Sequence, residues 1–242
     1  MNKLVVIDIE TSPAEGYFWS KPWETSIIKI TKQPTILCFA YQWLGEKTKV
    51  VAQPDFKKYK KGKLDDYEVV KALRDILDKA DIVIGQNSDN FDLKWFNTRC
   101  ITHKFPPPSP FKTVDTLKVS KRYFLWLTNK LDFVSQQLGH GGKVEHEGFP
   151  LWEKCMSGDK KAWEKMKKYN KHDVDITANL YEEYLAWITQ KKVVFEGNKC
   201  PHCAGVPLKK GIRALADGTH YQSYQCRDCG KWFHGNKVIQ KL

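Results

Sequence analysis

The sequence has no apolar run approaching the ~20 residues a helix needs to cross a bilayer, which excludes a helical membrane protein. The apolar run before Asp8, Leu4-Val5-Val6-Ile7, is four residues long, too short for the core of a secretory signal. No basic amphipathic helix of the kind that lies on an acidic membrane surface stands out. The expected location is cytoplasmic, with no membrane partner. A secreted disulfide framework is missing too. Of the seven cysteines, Cys38, Cys100 and Cys155 are scattered singly, and the other four are paired two and two near the C-terminus, a metal-site pattern. Acidic residues are scarce, 28 Asp and Glu against 40 Lys and Arg, giving a net charge of +12 and a pI near 9.2. That surplus makes a polyanion, most often nucleic acid, the leading partner. The 242 residues have room for a domain with its own core plus an appendage.

What is present begins with Leu4-Val5-Val6-Ile7-Asp8-Ile9-Glu10-Thr11. The β-branched apolar run reads as a buried central strand. Residues two apart on a strand share a face, so Asp8 and Glu10 project side by side. Like charges in a dry site are costly without something positive between them, and a divalent ion held by oxygens would serve. The alternative is a strand end with both acids in water. Tyr17-Phe18-Trp19-Ser20-Lys21-Pro22-Trp23 is either a loop folded onto the core or a stacking platform for bases. Residues 34–43 and 47–53 read as strands. Between 57 and 63, five of seven residues are lysine, a solvated loop that could also touch phosphates.

A helix is expected over 66–79, from Val69, Val70, Leu73, Ile76 and Leu77 at helical spacing. A short buried strand follows at 81–85. After it, Asn90 or Asp89 could cap a helix that carries Phe91, Trp95 and Phe96 inward. That places Asp92 in a first helical turn, where dipole complementarity alone would explain it. Pro106-Pro107-Pro108-Ser109-Pro110 is a stiff connector to Phe111–Asp115. Helical stretches follow near 116–123 and 130–138, the second stopped by Gly139, and 139–148 is loop. Over 159–190, Trp163, Met166, Tyr169, Asp173, Ile176, Leu180, Tyr184 and Trp187 form one helical face. Asp173 is an acid on that inward stripe and needs a partner.

Asp8-Ile9-Glu10, then Asn87-Ser-Asp-Asn-Phe91-Asp92, then Tyr169-Asn-Lys-His-Asp173 occur in this order on a strand, a helix start and a late helix. In this the chain resembles the DEDD exonucleases of the ribonuclease H-like superfamily, over residues 1 to about 190. Asp115-Thr116-Leu117 and Lys130-Leu131-Asp132-Phe133 also look like the proofreading domains of family B DNA polymerases and their small relatives. The resemblance implies an α/β fold with a mixed five-stranded sheet and flanking helices. It also implies two Mg²⁺ or Mn²⁺ ions, roughly 3.5–4 Å apart, held by Asp8, Glu10, Asp92 and Asp173. One ion would activate the attacking water and the other would stabilise the leaving 3′ oxygen. Tyr169 would orient that water, the backbone around Thr11 would lie near the terminal nucleotide, and Asn87 would border the site. Spacing selects the tyrosine subclass, since a histidine version needs His where Lys168 stands. His172 lies about 100° around the helix from Asp173 and should point elsewhere. Asp175, the rival fourth carboxylate, falls near the polar side.

Cys200-Pro-His-Cys203 and Cys226-Arg-Asp-Cys229 are separated by 22 residues. Each pair is followed closely by a glycine (Gly205, Gly230), and together they read as a structural zinc ribbon with four thiolate ligands. A hairpin around Asp217-Gly218 would absorb the long spacing. His202, His220 and His234 are spare ligands. Residues 197–242 carry six Lys and two Arg against two Asp, half of the chain's net charge. The expected organisation is a ribonuclease H-like exonuclease domain over 1–192 and a zinc ribbon over 193–242. The expected activity is 3′→5′ exonuclease action, on DNA ahead of RNA. The rivals are RNA or internal cleavage, an inactive nucleic-acid-binding module, and a ribbon that recruits a replication or recombination protein.

Overall fold

The computed structural model describes residues 3–20, 26–142, 144–189, 199–201, 203–214 and 219–241. The chain divides into two compact units, Met1–Tyr184 and Leu185–Leu242. The boundary expected between 192 and 193 lies outside the described residues. Among those described, no helix is long and apolar enough to cross a membrane.

The first unit is built on β1 (Leu4–Thr11), the middle strand of a five-stranded sheet. One neighbour is β4 (Ile36–Trp43), antiparallel, flanked in turn by antiparallel β5 (Lys49–Ala52). On its other side run β6 (Ile82–Gly85) and β7 (Lys112–Asp115), both parallel. The sheet is mixed and the fold is ribonuclease H-like, as expected. Alternation along β1 divides its side chains. Val5, Ile7 and Ile9 pack with Phe39 and with Val69, Val70, Leu73 and Leu77 of α1 (Tyr67–Leu77). Burying each such side chain contributes about 1.5–3 kcal/mol. Val6, Asp8 and Glu10 lie on the opposite face. Next to them Leu37, Cys38 and Ala52 join Leu151 and Cys155 of α5 (Phe149–Met156) and Trp163, Met166 and Tyr169 of α6 (Lys160–Thr189).

The α6 stripe is buried from Trp163 to Tyr184, whereas Trp187 is 48% exposed. Helices α3 (Thr116–Tyr123) and α4 (Leu131–Gln137) fall where the sequence places them. Gly139 takes a left-handed φ of 80° just beyond α4, a conformation glycine adopts without steric cost.

Three features differ from expectation. The described part of the aromatic stretch does not fold onto the core. Tyr17 ends a short strand, β2 (Glu15–Tyr17), paired with β3 (Lys29–Lys32). Tyr17, Phe18 and Trp19 are 65%, 47% and 75% exposed, and residues 21–25 lie outside the described residues. Helix α2 (Asp92–Thr102) takes no side-chain cap from Asp89 or Asn90. Its entry is instead a backbone turn, in which Asn87 at φ 60° accepts from the amides of Asn90 and Phe91, leaving Phe91 39% exposed. Finally, α5 occupies a stretch in which no element was expected. It starts beside Gly148 (φ 75°) and Pro150.

In the second unit, β8 (Pro207–Ala214), β9 (Thr219–Cys226) and β10 (Trp232–Lys241) form an antiparallel sheet with β9 in the middle. The turn expected at 217–218 lies outside the described residues.

Candidate metal centres

In the first unit the candidate site lies where β1 ends. A bulge between Glu10 and Thr11 shifts the register against β4, so that Glu10 pairs with Cys38 and Thr11 with Ile36. Bulges bend a strand and re-aim its side chains. Asp8 and Glu10, on one face, meet Asp173 from α6, and one carboxylate oxygen of each lies within 4.8 Å of the others. Asp92 enters from the start of α2, its Oδ1 accepting from the Ile9 amide at 2.8 Å. That bond, to the backbone between Asp8 and Glu10, fixes the fourth acid beside the two strand acids. All four line a cavity of about 470 Å³ together with Asn87, Phe91 and Tyr169. Thr11 lies beyond the bulge and is not part of that lining.

The electrostatics are those of crowded acids. Burial pushes the Asp8 carboxyl well above its usual range, and repulsion from Asp92, Glu10 and Asp173 raises it further. The Asn170 amide opposes this, donating to Asp8 Oδ2 at 2.6 Å. Burial pushes Asp92 up to about 7, against the pull of the Ile9 amide and with a smaller push from Asp115. Burial also raises the Tyr169 phenol far above its ordinary value, helped by the negative charge of Asp173 and Glu10 and by a hydrogen bond with Asp173. The phenol therefore stays protonated and can act as a donor. The carboxylate set fits a hard divalent cation: converging oxygens whose mutual repulsion a positive ion would reverse.

The rival residues lie elsewhere. His172 Nε2 contacts the Gly142 carbonyl at 2.7 Å. Asp175 accepts from Thr48 and pairs with Lys171 at 2.8 Å. Asn87 borders the cavity, its own amide donating to Asp115 Oδ1 at 2.9 Å. Asp115 at the same time caps α3 by accepting from Leu117 and Lys118. Close packing underlies this corner, since a Cβ at Gly85 would meet Ser88 Cβ at 2.6 Å. Sequence reasoning missed Asn170, fully buried and bonded to Asp8. Its one signal is a polar residue adjacent to Tyr169 on the inward side of the helix. Lys130 and Asp132 also line the cavity, and in the sequence only the family resemblance marks them.

In the second unit the sulfurs of Cys200, Cys203, Cys226 and Cys229 gather within 4.8 Å of one another. Cys200 Sγ is 3.8 Å from Cys229 Sγ, and Cys203 Sγ is 3.5 Å from Cys226 Sγ. Four thiolates at about 2.3 Å around a tetrahedral ion would stand about 3.8 Å apart, so the set fits zinc. The amides of Cys229 and Asp228 pull the Cys226 thiol down to about 7. The left-handed residue after the first knuckle is Ala204 (φ 59°), just before Gly205, while Gly230 (φ 69°) fills that place in the second. Gly205 makes room for the Asp228 carboxylate, with which a Cβ would collide, and that carboxylate holds the Val206 amide. His202 and the His234 side chain lie outside the described residues.

No curated protein sequence matches the chain. Among solved structures it is similar to the family B DNA polymerase from the hyperthermophilic archaeon Pyrobaculum calidifontis, with a TM-score of 0.58 at 16% identity. That similarity covers 78% of this chain but only 25% of the polymerase, and it is a likeness of fold. The family model described as RNase_H superfamily matches residues 24–185, more than half of the chain, and the protein belongs to that superfamily.

Proposed function

We propose that this protein is a metal-dependent 3′→5′ exonuclease that hydrolyses phosphodiester bonds, acting on DNA with a single-stranded 3′ end in preference to RNA. The observation that carries the reading is the convergence of Asp8, Glu10 and Asp173 within 4.8 Å, beside an Asp92 tied to the same strand. Two Mg²⁺ or Mn²⁺ ions held by these four acids would supply Lewis acidity at the phosphate and lower the pKa of a nearby water. The chain's own groups do the rest. Tyr169, locked in its protonated form and hydrogen-bonded to Asp173, keeps a lone pair on its hydroxyl oxygen that can accept from the attacking water and so position it. Asn170 holds Asp8 in one rotamer. Phe91, partly exposed at the cavity wall, offers a ring face to the terminal base, and Lys130 places positive charge beside the phosphate. The water oxygen gives up a proton and bonds to phosphorus as the bond from phosphorus to the 3′ oxygen breaks; the 3′ oxygen takes up a proton to become the new 3′ hydroxyl of the strand, and a nucleoside 5′-monophosphate is released. The polarity follows from the resemblance to DEDD exonucleases.

In this reading residues 1–192 form the catalytic domain and 193–242 a zinc ribbon. Four thiolates leave no open coordination position, so the zinc is structural. The test is cleavage of single-stranded DNA and RNA, each labelled at the 5′ or the 3′ end, with Mg²⁺ or Mn²⁺. A descending ladder from the 5′ label with immediate mononucleotide release from the 3′ label is expected, faster on DNA. Immediate mononucleotide release from the 5′ label would overturn the polarity.

A further inference from the structure

We infer that the first unit carries a second nucleic-acid site, an aromatic and basic cavity that takes one nucleoside-phosphate unit away from the acidic centre. This deepens the nuclease reading and rests on it only for biological purpose, since the binding chemistry stands on the cavity itself. The cavity, about 760 Å³, is lined by Phe56, Tyr59, Tyr67 and His103 together with Lys60 and Lys63. That size lies within the range of small-ligand pockets. It is separate from the acidic site and shares none of its lining residues. Helix α2 joins the two: Asp92 begins it and His103 follows its last residue. At ~1.5 Å per residue those two positions are about 16 Å apart along the axis.

The walls suit a nucleotide. Tyr67 packs against His103 at 5.4 Å and Phe105 at 4.9 Å between ring centroids, yet it stays 40% exposed. It is thus a braced ring with a free portion. The brace is rigid because His103 Nε2 lies 2.6 Å from Asp66, which Arg99 also grips. Stacking on such a ring tolerates any base. The lysines divide into two kinds. Lys58 is neutralised by Glu68 at 2.8 Å. Lys60 and Lys63 have no acidic partner among the described residues, and the turn between them brings their backbones together at 3.0 Å (Lys63 N to Lys60 O). Two lysines without an acidic partner among the described residues, lining a cavity with aromatic walls, match a phosphate next to a base. The acids Asp65 and Glu68 can accept from exocyclic amines or sugar hydroxyls. The lysine run is therefore a phosphate contact and not only a solvated loop.

The occupant is either a nucleotide within a strand or a free mononucleotide, and the test separates these sources. Binding of a 5′-fluorescein-labelled dT 12-mer to the full-length protein is followed by anisotropy, with no Mg²⁺ or Mn²⁺ added so that no turnover occurs, across a salt series. Competition by dAMP is measured alongside. Lys60→Glu with Lys63→Glu should weaken 12-mer binding and cut the salt slope by about 1.4, at about 0.7 per single-strand phosphate contact. Tyr67→Ala should weaken it on the order of 10-fold, and Tyr67→Phe, which keeps the ring, should not. If dAMP competes with the wild type but not with the lysine variant, the site takes free nucleotide. If only the oligonucleotide senses the variants, it takes a strand. Unchanged 12-mer affinity, slope and dAMP competition in the lysine and Tyr67→Ala variants would overturn the inference. Because the assay involves no cleavage, a protein that proves inactive as a nuclease leaves this result standing, and the converse also holds.

Discussion

Tyr169 and His172 are three residues apart on α6 and could both be suspected of handling the nucleophile, but their surroundings separate them. The phenol is buried and bonded to Asp173; the imidazole is committed to the Gly142 carbonyl. Tyr169→Phe should slow turnover on the order of 10- to 1000-fold, the usual effect of losing one positioned hydroxyl. His172→Ala should change it far less, and steady-state rates on a single-stranded oligonucleotide decide the matter. A more damaging histidine change would contradict the assignment. Strand alternation puts Asp8 and Glu10 on one face and helical phase puts Tyr169 and Asp173 on one inward stripe, whereas Asp92 was marked only by the family resemblance. Asn170 was not legible in the same way. Its role depends on a contact 162 residues away in sequence, which no local period encodes.

At the scale of elements, β4, α1 and α2 are pinned by one carboxylate. Asp66, fully buried, accepts from the Ile36 amide, from Arg99 Nε and Nη2 at 2.7 and 2.8 Å, and contacts His103. Burial alone would raise its pKa, but the bonds from Arg99, His103 and Ile36 outweigh that and hold it below 3.8. Folding therefore favours the ionised form. The contribution is fully present above pH 3.8 and is lost as pH falls through the lower folded value. Asp66→Ala strands a nearly buried guanidinium and should cost about 3–5 kcal/mol at pH 7. Urea unfolding should show the wild type losing part of this advantage below pH 3.8, and a difference that does not shrink there would contradict the ion-pair explanation.

The second unit gathers four cysteine sulfurs, and under the proposed zinc assignment so short a segment buries too little to fold without an ion. Treatment with a zinc chelator should expose four thiols to a thiol reagent, while buried Cys38, Cys100 and Cys155 stay protected. Seven thiols reacting together would mean that the first unit depends on the same ion. Elements with strong periods are legible in the sequence, α1 and α6 above all. The β2–β3 pair escapes because its strands are short and its aromatics are exposed, so neither alternation nor burial marks them. Helix α5 escapes because eight residues between Gly148 and Gly158 show hardly two turns of pattern.

For the whole molecule, the mixed sheet could be expected from the order of motifs, and its cause lies in where β1 sits. A central strand with one apolar face toward α1 and α2 frees its other face for acids that α6 covers. The net charge of +12 then accompanies a small acidic centre, an arrangement that attracts a polyanion as a whole and repels it only where cations must intervene. The direct measurement is single-turnover cleavage of a 5′-labelled single-stranded DNA by the wild type and by Asp8→Ala, each with Mn²⁺ and with EDTA. Product should form only with the wild type in Mn²⁺, while Asp8→Ala still binds the strand. Cleavage that persists in EDTA, or in Asp8→Ala at the wild-type rate, would contradict a metal-dependent centre at Asp8, Glu10, Asp92 and Asp173.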